Sequence, residues 1–375
     1  MSGPRSVAIA AATLLIIASG VDAQDTTQAY PWRLSYFPYV TAEPGNGVMA
    51  VARITWFQQS RWDARTSVDR QVAVDAGYST RDTWLLRAEA DMHRLAPGWR
   101  LQVVAQADRE RLAALSIFGF RVGDPSELWS RQSAEVELTR RIFGPVALAA
   151  RGGWVRATSV VEGHPEDNET QVEERGRIAI VVDLRDREYD TRSGALLQGG
   201  VIMGSSHGTY RGGYVLASGW LPVGPATRFT ARAGYRAYGE GSGTPDAWRT
   251  VPAWEDEFVV GGGFQSNRTL PPAFDAGRRV ILASAEGRHD LFTFPGGALA
   301  VLAFVDGARA GQESIAFTAS TDVAERQSRS GPLEDWIVGA GGGVSLRLLR
   351  NAVLTATVGA AQGKARMYVS SGWAW

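Results

Sequence analysis

The feature that most restricts the fold of this chain is an alternation of apolar and charged residues that recurs along most of its length. In WLLRAEADMH (84–93), the even-numbered residues are apolar, and from Arg87 onward the odd-numbered residues are charged or histidine. The segments 101–108, 134–139 and 177–185 repeat the pattern. Successive side chains of a β-strand point to opposite faces, so the pattern predicts strands with one apolar and one polar face.

Two architectures fit such strands: a soluble sandwich, which packs its apolar faces inward, and a membrane barrel, which turns them outward. The polar faces here carry both charge signs, whereas the apolar faces consist mostly of Ala, Val and Leu. A soluble core made of such small residues would pack poorly, but lipid imposes no comparable packing demand. The alternating segments are also close to the roughly 9–11 residues that a tilted membrane strand requires. The pattern therefore favours the barrel.

The predicted connections differ in length in the way that is typical of outer-membrane barrels, with short turns at one end and long loops at the other. Short turns are expected at 143–146, 221–226, 294–297 and 349–351, and long polar loops at about 109–127, 159–172, 240–279 and 310–333. We predict an all-β, transmembrane antiparallel barrel of sixteen strands, the first of which is less regular because it contains Pro38. The predicted strands are 30–40, 47–58, 68–80, 82–94, 98–108, 129–142, 146–158, 175–186, 194–206, 210–222, 226–238, 280–292, 297–308, 335–348, 352–362 and 364–375.

The N-terminus has the features of a secretory signal peptide. Arg5 precedes an apolar run, Val7–Ala18, and Val21 and Ala23 occupy the small-residue positions before a cleavage site. The run is shorter than the about 20 apolar residues of a transmembrane helix. We therefore expect residues 1–23 to be a cleaved signal peptide and residues 24–375 to form the barrel.

Composition argues against several other functions. The 39 basic residues balance the 39 acidic ones, so no basic surface for nucleic acid is predicted. The absence of cysteine excludes disulfides and thiolate zinc sites. The four histidines (His93, His164, His207 and His289) belong to no HExxH motif, and no GxSxG motif occurs. We therefore predict no catalytic residue, metal or cofactor.

A group of charged and glycine residues in the C-terminal third forms an ordered set of motifs. Gly262 and Gly263 precede Arg268 within the long loop 240–279. The next predicted strand contains SAEGRHDL, with Glu286, and the one after it contains FVDGA, with Phe304 and Asp306. By parity, both acidic residues share the polar face of their strands.

Two further motifs lie outside this region. VDLRDREYDTRSG contains Asp183, Arg185, Asp186 and Gly194, and the chain ends in MYVSSGWAW, with Tyr368, Trp373 and Trp375. Together and in order, these segments resemble the bacterial surface antigen barrels, the BamA/TamA-type superfamily. Thr269 and Leu270 stand where that family has glycine and an aromatic residue, and Trp375 replaces its usual terminal Phe.

The resemblance implies a sixteen-stranded barrel whose long sixth outer loop folds into the lumen. It implies that Arg268, with Gly262 and Gly263 before it, meets Asp306 and Glu286 beside Phe304 as a structural latch. The alternative is a solvated loop arginine without a fixed partner. It also implies that Tyr368, Trp373 and Trp375 belong to the C-terminal signal that the barrel-assembly machinery recognises.

The expected function is outer-membrane protein assembly or translocation, performed by a barrel without periplasmic domains of its own. The expected partners are outer-membrane lipid, the barrel-assembly machinery and a separate periplasmic protein. A partly plugged pore is the alternative, since sixteen strands enclose a lumen wide enough for water. An outer-membrane hydrolase is the least favoured function.

Overall fold

The computed structural model describes the barrel strands and most of the short connections between them. The described residues are 30–43, 46–60, 64–111, 115–117, 120–122, 128–160, 168, 170–205, 208–239, 267–269, 279–295, 297–310, 336–348, 352–361 and 363–371. The signal-peptide prediction for residues 1–23 lies outside these ranges. Within them, no helix is both long and apolar enough to cross a membrane.

The described residues form eighteen strands and no helix. The strands are β1 (Trp32–Glu43), β2 (Gly47–Gln59), β3 (Val68–Ser79), β4 (Trp84–Ala96), β5 (Trp99–Arg111), β6 (Leu115–Ile117), β7 (Phe120–Val122), β8 (Leu128–Phe143), β9 (Val146–Val160), β10 (Thr170–Asp183), β11 (Gly194–Ser205), β12 (Thr209–Pro222), β13 (Thr227–Tyr238), β14 (Arg279–Phe294), β15 (Gly297–Ala310), β16 (Ile337–Leu348), β17 (Ala352–Ala361) and β18 (Lys364–Ser371).

Sixteen of these strands form one closed barrel in which each strand neighbours the next along the chain, and the sequence prediction of the fold class is confirmed. Closure leaves the sheet without an exposed edge, which satisfies the backbone hydrogen-bonding groups of every strand. The remaining strands, β6 and β7, pair with each other in a small separate sheet within the predicted loop 109–127. The sequence analysis missed this hairpin, because three-residue strands are too short to show alternation.

The strand boundaries differ from the prediction mainly at the loop end of the barrel, the end at which β1 passes into β2 and β13 into β14. β9 continues to Val160 and β10 begins at Thr170, so the predicted loop 159–172 is shorter than expected. β1 includes Pro38, opposite Ala52 of β2, and extends to Glu43. The first predicted strand, which was expected to be less regular because of Pro38, is therefore a complete strand.

The pleat separates two chemically different faces. In β10, Ile178 and Ile180 are exposed on the outward face, whereas the alternate residues Arg177 and Asp183 turn inward. Exposed large hydrophobic residues alternate along other strands in the same way, as Val301 and Val305 do in β15. The barrel thus presents an apolar exterior and a polar, charged inner wall, which is the arrangement of a β-barrel surrounded by hydrocarbon.

The barrel strands fall into two compact halves by their contacts, residues 1–191 and residues 192–375. The first half contains β1–β10 and the second contains β11–β18. In the second half, β14 and β15 pair antiparallel with Ser284 opposite Asp306 and Glu286 opposite Phe304. This register places the two predicted carboxylates diagonally across neighbouring strands.

Candidate functional site

The inner wall of the second half carries a pair of buried carboxylates. Even-numbered residues of both β14 and β15 face inward, so Glu286 and Asp306 lie on the same surface. Glu286 is 5% exposed and Asp306 is fully buried. Buried carboxylates are stable only when cations and hydrogen-bond donors compensate them. The site is therefore described by the cations and hydrogen-bond donors that bind Glu286 and Asp306.

Arg268, from the connection between β13 and β14, supplies most of it. Its Nε and Nη2 donate to Oδ2 and Oδ1 of Asp306 at 3.0 and 2.9 Å. Its backbone N–H also donates to Asp306 Oδ2, at 2.9 Å, and its Nη1 donates to Glu286 Oε2. Two parallel N–H···O bonds to one carboxylate are the most specific geometry that a guanidinium can adopt. The solvated-arginine alternative does not describe this residue, which is fully buried.

Two neighbouring side chains complete the compensation. Arg288, two residues after Glu286 on the same inward face, donates from Nε and Nη2 to Glu286 Oε1 at 3.1 and 2.8 Å. The guanidinium carbon of Arg268 lies 3.6 Å from the centre of the Phe304 ring, a cation–π contact. Two cations thus neutralise two anions in a site sealed by an aromatic ring.

The charge of Arg268 is stable in this environment. Burial by itself lowers the pKa of Arg268, but the hydrogen bonds and negative charges of Asp306 and Glu286 outweigh burial and raise the pKa above its ordinary value. Arg268 therefore stays protonated, and its ion pairs with Asp306 and Glu286 are retained.

The turn 267–269 also contacts the strands that follow β15. Arg366, on the inward face of β18, donates from Nη1 to the carbonyl oxygen of Thr269 at 2.6 Å. A Cβ atom on Gly339 of β16 would lie 2.5 Å from Thr269 Cβ, and one on Gly359 of β17 would lie 3.0 Å from Thr269 Cγ2. Gly339 is therefore required for the close approach of the turn to the sheet, and Gly359 leaves it the room that a methyl group would make tight.

Sequence analysis missed Arg366, Gly339 and Gly359 as parts of this site. One signal was available, because GAGGGVS places glycine at the three successive inward positions 339, 341 and 343 of β16. A Cβ on Gly341 would lie 2.6 Å from Phe304 Cζ, so this glycine accommodates the aromatic ring. Alternate glycines on one strand face leave room for another part of the chain.

Several other predicted site residues lie elsewhere or outside the described ranges. Gly262, Gly263, Leu270, Trp373 and Trp375 are outside them. Tyr368 is on the inward face of β18 and is 3% exposed. This placement does not test its predicted part in a C-terminal assembly signal.

The motif VDLRDREYDTRSG begins where β10 ends. Arg185 Nε pairs with Asp183 Oδ1 at 2.9 Å, and Gly194 opens β11 with a φ of 113°. Such a φ strongly favours glycine. The motif is therefore a structured connection between two strands.

The described histidines form no metal site. His93 Nε2 lies 3.2 Å from Asp91 Oδ2, and His289 Nδ1 lies 2.7 Å from Thr227 Oγ1. His164 and His207 are outside the described residues. Among the residues that are described, no group of three or more His, Cys, Asp or Glu side chains is arranged to hold a metal ion.

The inner wall of the first half is a network of paired charges. Arg53 Nη1 lies 2.7 Å from Asp75 Oδ2, and the same arginine binds Glu89. Arg131 Nε lies 2.9 Å from Asp108 Oδ1 on the facing strand. These pairs connect strands β2, β3, β4, β5 and β8. A wall of compensated charge suits a wet interior without strong ion selectivity.

Comparison with known proteins gives similarity at the level of fold. No family model matches the chain, and no curated protein matches it. Among solved structures, BamA from Haemophilus ducreyi lacking POTRA domains 1–3 is 12% identical with a TM-score of 0.57, and the match covers 98% of this chain and 78% of that one.

Two CdiB structures are also similar. CdiB from Escherichia coli is 14% identical with a TM-score of 0.56, and the match covers 93% of this chain. CdiB from Acinetobacter baumannii is 11% identical with a TM-score of 0.53, over 92% of this chain. The chain spans 65% of the length of each CdiB chain. Its barrel is therefore similar in fold to those of BamA and CdiB.

Proposed function

We propose that the protein is an integral outer-membrane barrel that acts in the assembly or translocation of other proteins at that membrane. One observation carries the proposal: in a sixteen-stranded barrel with an apolar exterior, the connection between β13 and β14 places a buried Arg268 on the inner wall. A barrel that handles a client benefits from a loop that can be held inside and released.

Export is part of the proposal. The predicted signal peptide, residues 1–23, directs the chain across the inner membrane, and the apolar outward faces then make lipid the natural surroundings of the barrel. The barrel-assembly machinery inserts it during biogenesis. A separate periplasmic protein delivers the client.

The latch sets the equilibrium between a docked and a released turn 267–269. While Arg268 is bound to Asp306 and Glu286, this turn stays on the wall formed by β14 and β15. Release exposes two carboxylates that the structure keeps away from water, so release is unfavourable without compensation. A client that stabilises the released state shifts the equilibrium towards it.

Reconstitution tests the proposed assembly function. The full mature chain is inserted into vesicles, an unfolded eight-stranded barrel is added as client, and its folding is followed by protease protection. We expect faster client folding than in vesicles that contain an unrelated sixteen-stranded barrel. We also expect a different rate with Arg268→Ala, which loses the latch. Equal rates for the parent and the unrelated barrel would exclude an assembly function for the barrel alone.

A second candidate is a partly plugged channel, which the charged inner wall of the first half supports. Planar-bilayer recording decides this candidate. The channel proposal expects small conductance steps from the parent and larger ones from Arg268→Ala. The absence of conductance from well-folded protein of both kinds would remove passive transport.

A further inference from the structure

We infer that Asn267 and Thr269 are positioning residues, which together hold Arg268 in the orientation that binds both carboxylates. The inference rests on the proposed latch and adds the two residues that fix the orientation of its arginine. Both residues are almost completely buried, although they are polar and belong to a connection between strands. Buried polar loop residues need a structural reason.

The first reason is a hydrogen-bonded turn centred on Arg268. Asn267 Oδ1 accepts from the backbone N–H of Thr269 at 2.9 Å and from Thr269 Oγ1 at 2.6 Å. An Asn side chain that binds the backbone two residues later makes an Asx turn, which fixes the residue between them. That residue is Arg268, and the turn directs its own backbone N–H to Asp306 at 2.9 Å.

The oxygen of the Asn267 amide carries this role. Among the described residues, its Nδ2 has no hydrogen-bond partner, whereas its Oδ1 accepts two hydrogen bonds. A side chain that supplies only an oxygen acceptor at this position should therefore preserve the turn. This distinction gives a conservative and uncharged variant, Asn267→Ser, whose hydroxyl oxygen can accept from the backbone N–H two residues later.

The second reason is steric. Thr269 fills the space that Gly339 and Gly359 leave on β16 and β17, where added Cβ atoms would lie 2.5 and 3.0 Å from it. Arg366 of β18 then holds the Thr269 carbonyl at 2.6 Å. The turn is thus fixed on both sides of Arg268: by hydrogen bonds to Asn267 and by its seat on the following strands. A pre-organised turn loses less conformational freedom when it docks.

Two matched pairs of variants test the inference by urea unfolding of the vesicle-inserted protein. Thr269→Val keeps the volume of the side chain and removes the hydroxyl, whereas Thr269→Ser keeps the hydroxyl. Asn267→Ala removes the acceptor, whereas Asn267→Ser keeps an oxygen acceptor without adding a charge. We expect Thr269→Val to raise the unfolded-to-folded ratio about five-fold, the usual effect of one lost hydrogen bond, and Asn267→Ala, which loses two, to raise it about 25-fold. We expect Thr269→Ser to stay nearer the parent than Thr269→Val, and Asn267→Ser to stay nearer the parent than Asn267→Ala. Equal losses within each pair would overturn the inference.

A double-mutant cycle separates positioning from general stability. If Asn267 acts through Arg268, Asn267→Ala should change unfolding in the parent but change it much less in an Arg268→Ala background. Additive effects would show that Asn267 acts independently of Arg268 and would refute the positioning role. The proposed latch is tested separately, since it fails only if Arg268→Ala itself unfolds like the parent.

Discussion

Arg268→Ala is the most informative single substitution, because it removes the cation that binds both buried carboxylates. Asp306 then loses its bidentate partner while fully buried, whereas Glu286 keeps its two hydrogen bonds from Arg288. We expect the free energy of unfolding to fall and the turn 267–269 to leave the inner wall of the barrel. Unfolding is measured by urea titration in vesicles and by the temperature at which the folded band disappears in a gel-shift assay.

The magnitude follows from the number of charges left uncompensated. Breaking a buried ion pair by removing one partner costs about 3–5 kcal/mol, because the remaining charge stays in a low-dielectric site. Only Asp306 loses its ion-pair partner here, and water can reach it once the turn 267–269 leaves the wall. We therefore expect a loss near the lower limit, about 3 kcal/mol. Charge reversal at Asp306 should cost at least as much, since it places two cations side by side.

The control is Arg309→Ala, which removes an exposed, outward-facing arginine from β15, the strand that carries Asp306. An exposed charge contributes about 0–1 kcal/mol, so this variant should resemble the parent. If Arg268→Ala and the reversal at Asp306 both unfold like Arg309→Ala, the buried site does not stabilise the barrel and the latch reasoning is wrong.

Three further predictions concern other parts of the chain. Gly359→Ala places a methyl group against the turn and should cost about 1–3 kcal/mol, whereas Gly219→Ala, with open space around its Cβ position, should be neutral in the same unfolding assay. Arg131→Ala leaves the buried Asp108 without its ion-pair partner and should lower the free energy of unfolding by about 3–5 kcal/mol. Arg94→Ala removes a side chain that is 55% exposed and should change the free energy of unfolding by under about 1 kcal/mol. Equal losses of stability in the two variants would contradict the argument. Mass spectrometry of the exported protein should give Gln24 as the first residue, and an intact N-terminus would exclude cleavage after Ala23.

The pairing of opposite charges on the inner wall of the first half explains how many charged side chains are accommodated there. Arg53, Asp75 and Arg87 lie directly opposite one another on β2, β3 and β4. Opposite charges at facing positions of antiparallel strands stabilise the pair, and like charges do the reverse. The alternation of sign across strands therefore contributes to strand register as well as to solvation of the lumen.

The sequence by itself determined the strands, their faces and the inward position of Glu286 and Asp306. These properties are local, because the pleat repeats every two residues and parity alone assigns a side chain to a face. For the same reason, sequence analysis gave all sixteen barrel strands but missed the three-residue strands of the small hairpin. The family resemblance singled out Arg268, which spacing alone could not pair with any residue.

Only the tertiary structure decided how the loop turn is seated. Arg268 and Asp306 are 38 residues apart in sequence, and Thr269 and Arg366 are 97 apart. No local pattern specifies which distant surface a turn meets, because that depends on how five strands, β14–β18, are arranged together. The roles of Gly339 and Gly359 follow from that arrangement. Each is an ordinary strand residue until the turn and the sheet lie within van der Waals distance.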